Sequence, residues 1–281
     1  MSNNNTTITI MGAGGKMGTR IVNNLVKTNY NLQLCEKSND KARSIREKGL
    51  AVVDMEDAVP ESDVVIMAVP DAVLGKVSKA VVPRMNTGAV FILLDPAAAY
   101  AKEIALRDDC TFVATHPCHP ALFDEQETPE ARKDLFGGIA AKQDIVIALL
   151  QGSEQNFEKA ENICTRMFAP VVKAHRVTVE QMAMLEPAMA EVVGAACITK
   201  LKEAMDEVIK RGVPEEAARA FMLGHINVCL AIVFKSSNPF SDAAVRALNY
   251  GSEKLFKENW KQVFEEDSIK KVLHKMLHPE K

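Results

Sequence analysis

The chain has 281 residues, of which 47% are hydrophobic and 25% charged, and its net charge is −3. It can bury a substantial core as one large domain or two ordinary ones, and its composition is that of a globular protein. The small net charge gives no reason to expect nucleic acid or an anionic membrane as a partner.

The opening, "MSNNNTTITI", has neither a basic region nor a long apolar run, so no secretory signal is expected. The first half then alternates apolar β-rich runs with helical segments. "TTITIMG" precedes a helix over 16–27. "NLQLCE", "GLAVV", "SDVVIMAVP", "GAVFILLD" and "CTFVATHP" follow as the second to sixth strands. "DIVIALLQG" and "PVVKAHRV" flank a further helix over 154–168. These runs are apolar throughout rather than alternating, as in strands buried on both faces of a parallel sheet. Strands separated by helices imply right-handed βαβ units and a Rossmann-type doubly wound α/β domain, set at residues 1–177.

From 178 to 281 only helices are expected, forming an all-α C-terminal domain. One helix spans 179–211 and stops at Gly212; Pro214, Glu215 and Glu216 open the next, which runs to Lys235 before "NPFS" breaks it. The longest nearly uncharged stretch, 220–234, is short for a bilayer and contains His225 and Asn227. His225 reads best as a satisfied core histidine. The apolar helices exceed what a small helical domain needs for itself, which suggests a homodimer. The six cysteines (Cys35, Cys110, Cys118, Cys164, Cys197, Cys229) include no CxxC pair and mostly lie in apolar runs, the pattern of reduced thiols in a cytoplasmic protein.

"ITIMGAGGKMGTRIV" places Gly12, Gly14, Gly15 and Gly18 between a strand and a helix. Glycines there let backbone N–H groups approach a pyrophosphate at a helix N-terminus. The spacing is GxxGxxG rather than GxGxxG. The strand, helix and next strand around it supply the context that a dinucleotide site needs, with Ala13, Lys16 and Met17 filling the loop. Glu36 ends the second strand, 18 residues after Gly18, where a carboxylate hydrogen-bonds the ribose hydroxyls and repels a 2′-phosphate. It argues for NAD over NADP, although Lys37, Ser38, Lys41 and Arg43 follow closely. Ala68, Val69, Pro70 and Asp71 end the fourth strand and should cover the cofactor; "LLDPAAAY" and "THPCHP" end the next two on the same edge.

The motifs "GAGGKMG" and "VVIMAVP", the His-Pro after the sixth strand and the all-helical second half resemble the 6-phosphogluconate/β-hydroxyacid dehydrogenase superfamily. "HPCHPALF" with "LEPAMAEVVGAACI" more narrowly resembles the D-apionate oxidoisomerase group. The resemblance covers nearly the whole chain and implies NAD-linked oxidation of a branched sugar acid coupled to ketol-type isomerisation. The GxxxK lysine of the β-hydroxyacid dehydrogenases is missing: Ile198 stands at that spacing from Gly194, and Lys200 is displaced.

His116, expected at the end of the sixth strand, can take a substrate hydroxyl proton as hydride leaves. Glu186, followed by Pro187 in a helix with few charges, needs a partner, either a metal or a substrate proton opposite His116. Cys118 reads as packed rather than reactive, and His119 has no clear role. The rearrangement converts a ketone to an alkoxide and an alcohol to a ketone, and a divalent ion would stabilise that charge. A nitrogen and an oxygen ligand, His116 and Glu186, suit zinc or manganese better than calcium. The competing expectations are a simple 3-hydroxyacid or phosphogluconate-type dehydrogenase without rearrangement, and a non-catalytic NAD(H) sensor.

Overall fold

The computed structural model describes residues 6–235 and 238–279; residues 1–5 of the opening stretch lie outside them. In chain order the elements begin β1 (Thr7–Met11), α1 (Lys16–Leu25), β2 (Asn31–Cys35), α2 (Asn39–Glu47), α3 (Met55–Ala58), β3 (Val64–Met67) and α4 (Asp71–Val81). They continue β4 (Val90–Leu93), α5 (Ala97–Tyr100), β5 (Thr111–His119), α6 (Pro129–Lys133), β6 (Gln143–Gln151), α7 (Glu154–Met167) and β7 (Val171–Arg176). Helices follow: α8 (Val179–Ala183), a π-helical stretch (Met184–Ala195), α9 (Ala196–Lys210), α10 (Glu215–Lys235), α11 (Asp242–Leu255) and α12 (Glu266–Leu277).

The strands form one sheet in the order β2-β1-β3-β4-β5-β6-β7, the doubly wound arrangement expected. Every residue of β3 (VVIM) and β4 (VFIL) is buried, because helices cover both faces of the sheet there. Each such Val, Ile, Leu or Phe contributes about 1.5–3 kcal/mol through burial. Asn24 on α1 is the polar stitch of this core. Its Nδ2 donates to the carbonyls of Gly138, Met167 and Ala169, joining α1 to the end of α7 and to the loop before β6.

Two expectations about the sheet are corrected. "GLAVV" makes a single bridge, Leu34 to Val52, because the short link between α2 and α3 leaves Ala51 and Val53 exposed. The expected fourth, fifth and sixth strands are therefore β3, β4 and β5. The sheet is also not parallel throughout: β6 pairs antiparallel with β5. The connection between them holds only the five-residue α6, with no long crossover helix to bring the chain back in the parallel sense.

The contacts divide the chain into a first unit, up to Leu185 and again from Lys270, and a second, Glu186–Ile269. The break falls later than the expected 177/178 because α8 packs on β6 and α5, burying Met182 and Ala183. The late return to the first unit comes through α12, where Leu273 and Leu277 are buried. The expected single helix over 179–211 is continuous but changes type. Pro187 has no N–H for the carbonyl four residues back, and the ladder is π-helical around it.

In the second unit α9 and α10 pack together, yet the buried residues among those described are only Pro187, Ala188, Met205, Ala218 and Ile269. Apolar α10 is therefore not buried by its own chain: Phe221 is 69% and Phe234 71% exposed. His225 is exposed rather than in a core; its Nδ1 bonds the Phe221 carbonyl at 2.8 Å and its ring stacks on Phe221. The stretch 220–234 is also longer in structure than in sequence. By length and composition, Val179–Lys210 and Glu215–Lys235 are each long and apolar enough to cross a membrane.

Candidate active site

The glycine loop closes tightly between β1 and α1. Gly12 sits at φ +73°, and a Cβ there would overlap the Ala68 carbonyl oxygen; one at Gly18 would overlap the Gly12 oxygen. These two positions accept only glycine, since the loop is pressed against both the end of β3 and its own helix. The next strand end brings Glu36 opposite the loop. Its carboxylate accepts from Gly14 N at 3.0 Å and Ser38 N at 2.9 Å, which fixes it beside the cradle. The cradle and the fixed carboxylate fit a dinucleotide, pyrophosphate on the loop and ribose at Glu36.

Asp71, at the start of α4, stands among charges. Burial first, and then the charge of Asp95, push its carboxyl up to about 6, while its own backbone bond and the nearby His116 pull it back. Asp95 follows β4 and accepts from Ala97 N at 2.7 Å, which aims it at the same strand edge. Asp71, Asp95 and His116 thus form one electrostatic cluster, from just past the ends of β3 and β4 to the part of β5 that runs beyond β4. The sequence reading numbered Asp71 and His116 but not Asp95; its position in "LLDP", immediately after a buried strand, was the signal available.

His116 lies within β5 rather than at its end. The last β4 partner is Ala114, and antiparallel β6 carries β5 on, with His116 opposite Val146. The backbone at His116 is therefore paired on the β6 side, beyond the end of the β4 ladder. The side-chain Nδ1 bonds the Leu94 carbonyl at 3.0 Å. A carbonyl can only accept, so Nδ1 carries a proton, and whenever the ring is neutral its lone pair is on Nε2.

His119 is in the left-handed region, φ +61°, at the irregular end of β5. Its Nδ1 bonds the Phe136 carbonyl at 2.9 Å, and its ring is edge-on to those of His116 and Phe136, with centroids 6.1 and 5.9 Å away. Phe136 was missed by sequence reasoning, since only the folded loop brings it here. That loop is pinned by Asp134, whose Oδ2 accepts from the N–H groups of Ile139, Ala140 and Ala141. Burial pushes the Asp134 carboxyl up, but those bonds and the Arg20 charge outweigh it and hold it below its ordinary value. Cys118, expected to pack, is exposed at the residue level; partial burial and then the charge of Asp144 still push its thiol up, away from the reactive thiolate.

Glu186 opens the second unit and His116 lies in the first. Among the described residues no three His, Cys, Asp or Glu side chains gather as a metal site. The ligands expected from sequence, His116 and Glu186, are therefore two, fewer than such a cluster would supply. Lys200 pairs with Glu203 at 2.6 Å on the exposed face of α9, in keeping with its exclusion as an acid–base group.

Residues 124–277 match the family of the phosphogluconate dehydrogenase (decarboxylating) C-terminal domain, and residues 7–99 match the coenzyme F420-dependent NADP oxidoreductase family. The D-apionate oxidoisomerase of Blautia hydrogenotrophica is 44% identical over 279 residues, covering 98% of this chain and 97% of its own. That of Pectobacterium atrosepticum is 46% identical, over 96% of this chain and 95% of its own. Among solved structures, a semialdehyde dehydrogenase NAD-binding protein from Cupriavidus necator, in complex with calcium and NAD, is 40% identical. It superposes with a TM-score of 0.94, over 96% of this chain and 99% of that one. With relatives this similar along nearly their entire lengths, and with the cradle, acidic strand end and histidine in place, the chain belongs to the D-apionate oxidoisomerase family of phosphogluconate-dehydrogenase-like oxidoreductases.

Proposed function

We propose that this protein oxidises a branched sugar acid, D-apionate or a close analogue, with NAD, and isomerises the product by a ketol-type shift to a 3-oxo acid. What supports the reading is the near-full-length similarity to D-apionate oxidoisomerases, together with the Nδ1 bond of His116 to the Leu94 carbonyl, which makes Nε2 the ring nitrogen able to take a proton. NAD would be held by Gly12, Ala13, Gly14, Gly15, Lys16, Met17 and Gly18 at its pyrophosphate, by Glu36 at its ribose, and by Ala68, Val69, Pro70 and Asp71 along one side. When bound it supplies the hydride acceptor.

His116 Nε2 takes the proton of the C2 hydroxyl as hydride leaves C2, giving a 2-oxo-3-hydroxy acid. In the second step the C3 hydroxyl loses its proton and one carbon substituent moves with its electron pair from C3 to C2. C3 becomes a ketone and the C2 oxygen takes up a proton, so this step has no net oxidation. Glu186 is the candidate base for it. Product analysis by NMR after turnover with NAD tests the whole reading: a migrated carbon skeleton is expected, and an unaltered one would reduce it to a plain dehydrogenase. NADH binding without turnover of any polyol acid would instead point to a sensor.

A second reading keeps His116 and Glu186 as ligands of a divalent ion, zinc or manganese by their chemistry; its one support is that the Cupriavidus necator relative was solved with a divalent cation, in that case calcium. The same Nε2 lone pair cannot hold a metal and a proton together. Metal analysis with activity measured after chelation separates the two, and full activity in a metal-free sample rules out the ligand role.

The exposed apolar faces of α9 and α10 support a homodimer in which a second copy covers them.

A further inference from the structure

In a regular strand, side chains three residues apart face opposite sides of the sheet. His116 and His119 are three apart in β5, yet their rings meet, nearly perpendicular, with centroids 6.1 Å apart. The ladder shows how. Pro117 is opposite Ile145 and His119 opposite Asp144, so two residues of β5 stand against one of β6, and Cys118 is the extra one. Such a bulge re-aims the side chain that follows it, and here it turns His119 onto the side that His116 uses. His119 completes the turn in the left-handed region, φ +61°, a strained conformation for a residue with a Cβ.

Holding the loop does not by itself call for a histidine there. The bond from Nδ1 to the Phe136 carbonyl, at 2.9 Å, is one that an asparagine amide also makes, and asparagine tolerates the left-handed region as well. What the imidazole adds is Nε2. Among the described residues nothing bonds that nitrogen. With Nδ1 protonated, Nε2 accepts from a hydroxyl when the ring is neutral and donates to one when it is charged, so a hydroxyl suits it in either state. The Phe136 ring, edge-on at 5.9 Å on a loop that Asp134 pins, keeps the imidazole in place.

We infer that His119 is a substrate-binding residue, whose Nε2 bonds a hydroxymethyl hydroxyl of the sugar acid beside the C2 hydroxyl that His116 deprotonates. This rests on the sugar-acid reading and adds to it the group that selects a polyol acid over one with alkyl branches. The C2 and C3 hydroxyls have proton acceptors of their own in His116 and Glu186. The hydroxymethyl hydroxyls take no part in either step and need only a fixed partner.

Titration calorimetry of the full-length protein carrying NADH tests this, with D-apionate and its analogue in which both hydroxymethyl groups are methyl as probes. The analogue keeps both hydroxyls that react. Wild type should bind D-apionate at least about tenfold more tightly, since the analogue leaves Nε2 without its bond. His119→Asn keeps a residue suited to the left-handed turn and the bond to Phe136, and should reduce that preference by about tenfold. His119→Gly, which relieves the backbone altogether, should reduce it alike. The ratio of the two affinities cancels any loss common to both acids, whether from folding or from the cofactor. A ratio unchanged in both variants, or a wild type with no preference, overturns the assignment while the reaction stands. A wild type that neither binds nor turns over D-apionate overturns the sugar-acid reading together with it.

Discussion

His116 is the most informative single side chain because its hydrogen bond to Leu94 determines which nitrogen can act. His116→Gln keeps a polar group at the site but no titratable lone pair. It should lower kcat by about 10²–10⁴-fold, with NADH affinity held, as read by steady-state kinetics and a binding titration. Glu36 is fixed by two backbone donors rather than left in solvent. Glu36→Ala should erode the preference for NAD over NADP, and a wild type that already prefers NADP would contradict this role. Asp71 sets a pH dependence. Its folded-state pKa, about 6, is raised above the ordinary value of 3.8. The stabilisation from its proton is thus full below about pH 4 and is lost as pH rises through about 6. Asp71→Asn should flatten that decline in urea unfolding followed between pH 4 and 7. The place of Glu36 was legible in the sequence because a strand end opposite a glycine loop fixes where such a residue falls; His116 was expected at a strand end but lies within β5, because antiparallel β6 carries that strand on. Asp95 and Phe136 matter through contacts across the fold, which spacing along the chain does not encode.

At the level of elements, buried runs such as "VVIM" and "VFIL" could be recognised as strands because burial on both faces removes polar alternation. "GLAVV" has the same composition, but its neighbours leave room for one bridge only. The reversal of β6 depended on the absence of a crossover helix, and so on what α6 is not. That reversal has a functional side: β6 pairs with β5 past the end of β4 and so supports the backbone of His116 there, while its side chain is held by the Leu94 carbonyl. Asn24 shows the same dependence on distant partners, with three carbonyls 114 to 145 residues away along the chain. Asn24→Leu would leave buried carbonyls unpaired and should destabilise the first unit by about 1–3 kcal/mol, measured by denaturant unfolding.

For the whole molecule, composition and periodicity separated a sheet half from a helical half, but not where the contacts divide. The helical unit has too few buried residues to be stable by its own packing. Sedimentation or light scattering should therefore give twice the chain mass of 30.8 kDa. Phe221→Glu with Phe234→Glu should shift the protein toward monomer and lower its melting temperature. A wild type that stays monomeric at micromolar concentration would contradict the dimer.

The return of α12 to the sheet unit has a consequence for biosynthesis. The helical unit is inserted within the sheet unit, so a ribosome delivers Glu186–Ile269 before the residues that complete the sheet unit. The site that will bury Leu273 and Leu277 is then exposed throughout the making of about 84 residues, several seconds or more at ordinary translation rates. During that interval the nascent sheet unit is open to chaperones, and a stop codon just before Lys270 would leave it open permanently.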